Sequence, residues 1–142
     1  MFDTSHLHPM LVHFPIALVM FGFIIELASL IIKKELCLPK LSLYLLVTGT
    51  LTTIVTWLSG VLFTSEMSGA AGSVKESHEL FAFITMCLLI ATSIMRLMLT
   101  LGKKENSTLK WISFILYGIA AITVSITGFF GGTLVYNYMM PL

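Results

Sequence analysis

Four histidines, His6, His8, His13 and His78, are the side chains in this chain best suited to chemistry near neutral pH. Three of them lie in or just before His8-Pro-Met-Leu-Val-His13-Phe-Pro15, which opens the first long apolar run. An imidazole at the edge of hydrocarbon is costly without a partner, so a functional role is the working expectation. Neutral imidazole nitrogens ligate iron, zinc and copper. His13 falls about one turn inside the first apolar run and His78 at the mouth of the third. If those runs are parallel helices, the two rings share a depth. His13 and His78 are therefore the expected metal ligands, or the axial pair of a b-type haem slotted between facing helices. His8 is a candidate second-site ligand, and Phe14, Met20, Phe81 and Phe83 would pad the apolar faces of a macrocycle. Two alternatives stay open: the rings bond backbone carbonyls and only staple helices, or they hold a single metal ion. Haem propionates want cations, and Lys75 is the one cation expected at that end.

The elements that must position these rings are membrane helices. In 142 residues the hydrophobic fraction is 57% and the charged fraction 11%, against about 25% charged in a typical soluble domain. Four runs reach the roughly 20 apolar residues that a spanning helix needs: about 10–32, 41–63, 79–101 and 111–136. A soluble bundle would carry a charged stripe on each outer face, whereas these faces are Leu, Ile, Phe and Met. The expected fold is all-α, one up-and-down bundle of four transmembrane helices in a single integral membrane domain.

Seven of the eight basic residues fall at one end: Lys33, Lys34, Lys40, Arg96, Lys103, Lys104 and Lys110. The end rich in lysine is expected to be cytoplasmic, which puts both termini and the Thr64–His78 loop in the periplasm of a bacterial inner membrane. The N-terminus lacks the positive region of a cleaved signal, so the first run is expected to remain as a helix. Ser73-x-x-Glu76 is a candidate capping box for the third helix. Pro15 should tilt or kink the first. Cys37 and Cys87 should differ in depth by about half a bilayer, roughly 15 Å, so no disulfide is expected.

Helical spacing sorts the faces. Gly118, Ala121, Ser125, Gly128 and Gly132 form a small stripe on the fourth helix. Gly49, Thr53, Thr56 and Gly60 form another on the second. Small stripes permit close packing, either of plain helices or against a flat ligand, which makes Gly60, Gly128 and Gly132 candidate cofactor contacts. The third helix carries His78, Ala82, Thr85, Leu89, Thr92 and Arg96 on one face. The first has two faces of interest: His13, Ala17, Met20 and Ile24, or His8, Pro15, Gly22, Glu26 and Ser29. Glu26 and Arg96 lie towards the lysine-rich end, and a structural ion pair between them is expected, with a proton relay as the sharper alternative. A faint parallel repeat is visible: the first and third helices begin with a histidine, and the second and fourth end in Ser59-Gly60 and Thr127-Gly128.

No phosphate-binding loop, dinucleotide fingerprint, Gly-x-Ser-x-Gly or His-Glu-x-x-His occurs, and no Cys-x-x-Cys-His for covalent haem. A net charge of +1 with no basic stripe gives no reason to expect a nucleic-acid partner. The run Leu7-His-Pro-Met-Leu-Val-His-Phe-Pro-Ile-Ala-Leu18 resembles the opening signature of a bacterial membrane family, domain of unknown function 2231. The resemblance continues through Trp57-Leu-Ser-Gly60, His78, Arg96 and Gly131-Gly-Thr-Leu-Val-Tyr136. It implies four spans and a membrane redox component suspected of binding haem, with matching positions at His8, His13, His78 and Arg96. The expected function is a bis-histidine haem b protein near the periplasmic face, passing electrons between quinol and a periplasmic redox partner. The alternative is a non-enzymatic membrane subunit or binding protein, alone, as a homo-oligomer or in a larger complex, with structural or metal-binding histidines.

Overall fold

The computed structural model describes residues 7–102 and 106–138, and all of its regular elements are α-helices. A short α1 (Leu7–Leu11) leads into α2 (His13–Ile31), followed by α3 (Leu38–Phe63), α4 (Gly69–Leu101) and α5 (Ser107–Tyr138). Four spans are long and apolar enough to cross a membrane, α1 and α2 together making the first. Large apolar side chains face outward along all four, such as Ile31 at 82% and Phe129 at 71% exposure. Water would penalise such a surface, while hydrocarbon accepts it.

The start of α4 departs most from expectation. α4 starts at Gly69, ten residues before the apolar run, on an extended Ser68 and a glycine at φ +66°. The glycine takes the left-handed turn that side chains resist, and two alanines then favour helix. Ser73 does not begin the helix; its hydroxyl donates back to the Gly69 carbonyl at 3.5 Å. At 33 residues, α4 is about 50 Å long, so its first turns extend past a core of about 30 Å. Cys37 and Cys87 are exposed free thiols.

α2 packs most extensively on α3, and α4 on α5, with smaller seams joining α3 to α4 and α2 to α5. The chain is thus two helical hairpins closed around Val19, Leu46, Leu89, Tyr117, Ala120, Ala121 and Val124. The hairpins are equivalent in register. Pro15, Val19 and Gly22 are buried on α2, and Thr85, Leu89 and Thr92 on α4, each 70 positions later. Ser42, Leu46, Gly49, Thr50 and Thr53 are buried on α3, and Ser113, Tyr117, Ala120, Ala121 and Val124 on α5. Equivalent residues also touch one another: His8 meets His78, and Glu26 meets Arg96. Contact between equivalent positions is the mark of isologous, two-fold packing.

Candidate functional site

The site begins with a broken helix. Pro15 has no N–H for the Leu11 carbonyl. The Thr56 hydroxyl of α3 donates to that carbonyl instead, at 3.4 Å. The exchange runs both ways, because His8 Nδ1 lies 3.1 Å from the Thr56 carbonyl and 2.9 Å from Ser59 Oγ. α1 is thereby tied to α3. His8, Pro15 and Gly22 recur every seven residues, which keeps them on one helix face, with Glu26 one turn on. That face points inward: Pro15, Gly22 and Glu26 are buried.

The second hairpin repeats the device. His78 Nδ1 donates to the Thr127 carbonyl at 3.0 Å. In each hairpin a glycine lies four residues beyond the accepting threonine, so the ring packs on a bare turn. A Cβ built on Gly60 would come within 2.9 Å of His8 Cε1, and one on Gly131 within 3.2 Å of His78 Cε1. A carbonyl only accepts, so both Nδ1 atoms carry the proton and each Nε2 keeps its lone pair. No hydrogen bond reaches either Nε2 among the described residues. The ring centroids are 6.1 Å apart with planes at 86°. Both rings line a cavity of about 260 Å³, together with Thr53, Trp57, Gly128 and Lys75.

The chain matches, over residues 4–141, the family described as Predicted membrane protein (DUF2231). It belongs to that family. No curated protein and no solved structure matches it. The family description names a membrane protein and no reaction, so this DUF2231 chain has to be read from its own geometry.

The expected pairing was His13 with His78; the structure brings His8 to His78 instead. His13 stands five residues from His8, well round the helix. Its Nδ1 donates to the Pro9 carbonyl at 3.0 Å, and it is exposed, reaching only the cavity wall. His6 lies outside the described residues. Gly60, Gly128 and Gly132 all line the cavity. Gly60 receives His8, a Cβ built on Gly128 would come within 3.1 Å of Ile16 Cδ1, and Gly132 faces open space. The glycine of the second imidazole is Gly131, which spacing alone did not single out. Thr56-x-x-x-Gly60 and Thr127-x-x-x-Gly131 were the available signal, three residues out of register with the repeat drawn on Ser59-Gly60 and Thr127-Gly128.

At the opposite end Arg96 Nη2 donates to Glu26 Oε2, and both side chains are nearly buried. The expected pair is present. Tyr117, buried between the two ends and packed against Gly22, has no partner for its hydroxyl among the described residues. At the histidine end Lys75 is buried between Glu66 and Glu79. Among the described residues no three His, Cys, Asp or Glu side chains converge.

Proposed function

We propose that the protein is a membrane b-type haem protein in which His8 and His78 are the axial ligands. In this reading it passes electrons between membrane quinol and a periplasmic acceptor across a bacterial inner membrane, with the histidine end outward. The observation that carries the proposal is the imidazole pair, anchored through Nδ1 on facing helices with both Nε2 lone pairs left over. Anchoring the far nitrogen on a carbonyl is what fixes the tautomer of a ligating histidine. The ring centroids are 6.1 Å apart, so His8 and His78 would be near enough to hold one group between them. Two protein ligands fall short of the four of a tetrahedral site. They suffice for a haem, which brings four equatorial nitrogens of its own. When bound, that group supplies one-electron chemistry. The chain's own residues orient its axial ligands, and Trp57, Val124 and Leu134 keep its surroundings dry.

The Nδ1 bonds also support a second reading, in which the rings only staple each helix to its neighbour. A reduced-minus-oxidised spectrum of protein purified from haem-replete cells separates the two. Soret and α bands that are lost in His8→Ala and His78→Ala, and retained in His13→Ala, are expected. A folded, colourless protein leaves the stapling role.

A further inference from the structure

We propose that Lys75 anchors a carboxylate of the cavity's occupant, and that Glu66 is the group this carboxylate displaces. The inference rests on the haem reading and specifies how the macrocycle's acidic edge is held. Lys75 lies three residues before His78 on α4, hence on the same face one turn nearer the helix start. Its side chain is only 8% exposed, and it lines the same cavity as the two imidazoles. Among the described residues it is the only lysine or arginine that does so.

A lysine is almost never buried unless paired. Here Nζ is 3.3 Å from Glu66 Oε1 and 3.3 Å from Glu79 Oε1. Both are ion-pair contacts, and an ammonium with three N–H donors can take a further acceptor. Two glutamates overcompensate one lysine, so a third carboxylate cannot join without repelling them. Glu66 is the one that yields. Its side chain is 97% exposed and belongs to the loop between α3 and α4, whereas Glu79 sits one helical turn from Lys75. An exposed carboxylate returns to water at little cost. The mouth of the cavity therefore has a cation already desolvated, held by a replaceable counter-ion.

The test titrates the full-length apoprotein in detergent with haemin and with its dimethyl ester, which has the same iron and ring without free carboxylates. Binding is read from the Soret band. Haemin is expected to bind about tenfold tighter than the ester, the worth of one charge-assisted hydrogen bond. Lys75→Met should reduce haemin to the ester's affinity. Glu66→Gln removes the competitor and should tighten haemin several-fold while leaving the ester unchanged, which keeps the proposal testable if Lys75→Met fails to fold. Equal affinity for the two pigments in the unsubstituted protein overturns the anchor and leaves the histidine pair standing, as does a Glu66→Gln protein with unaltered preference. A protein that binds neither pigment overturns the haem reading and the anchor with it.

Discussion

The two ends of the bundle solve one geometric problem in opposite ways. Each brings a residue of the first hairpin against its equivalent in the second. At one end the equivalents differ, Glu26 and Arg96, and they satisfy one another. At the other they are the same residue, and two neutral imidazoles with protonated Nδ1 have nothing to exchange. Each instead bonds to the α3 or α5 helix of its own hairpin, at Thr56 or Thr127. The first arrangement is closed, with the donor and acceptor of the pair engaged. The second is open: both imidazoles line a cavity, and neither Nε2 has a partner among the described residues. The difference separates an end where the hairpins are joined by an ion pair from an end where they border a cavity.

Breaking the closed end should have the largest effect. Glu26→Ala strands a buried guanidinium, and losing one partner of a buried pair costs about 3–5 kcal/mol. Thermal unfolding in detergent should register the loss for Glu26→Ala and for Arg96→Ala. Because the positions are equivalent, the double variant Glu26→Arg with Arg96→Glu should recover most of it. A swap no better than the single changes would show that the two positions are not interchangeable.

A smaller effect is expected midway between the ends. Gly22→Ala drives a Cβ into the Tyr117 hydroxyl, and overpacking of this kind costs about 1–3 kcal/mol. That hydroxyl has no partner among the described residues to lose, so Gly22→Ala combined with Tyr117→Phe should be more stable than Gly22→Ala alone. At the open end, Gly60→Ala presses on the His8 ring harder than Gly131→Ala presses on His78, at 2.9 against 3.2 Å. On the proposed haem reading both should weaken haem binding, the first more, with the fold retained by circular dichroism. The smallest change is Ser59→Ala, which removes one of two acceptors at His8 Nδ1, worth about 0.5–1.5 kcal/mol. Stability should fall only slightly, because the Thr56 carbonyl remains.

The membrane class, the number of spans and the Glu26–Arg96 pair were legible in the sequence, because each follows from run length or from a charge that hydrocarbon cannot satisfy alone. The start of α4 was not, since residues 69–78 are too polar to count towards a span yet helical through Gly69 and two alanines. The histidine pairing was half legible. His78 sits on one clear polar stripe, whereas the first helix offered two faces. Depth favoured His13, and the seven-residue spacing of His8, Pro15 and Gly22 favoured the face that is buried. What tips the balance is a bond across helices, from Thr56 to the carbonyl that Pro15 leaves unpaired, and no periodicity within one helix reveals that. The repeat was visible but misplaced by a few residues, because it aligned Ser59-Gly60 with Thr127-Gly128 rather than each threonine with the glycine one turn beyond it.

The gap at Val12 has a mechanical consequence. The five-residue segment bearing His8 is riveted sideways to α3, so it travels with the first hairpin as a whole and not with α2 alone. His78 is fixed to the other hairpin in the same manner. The two rings therefore work as the jaws of a caliper, and any splaying of one half of the molecule from the other is read out directly as a wider gap between them.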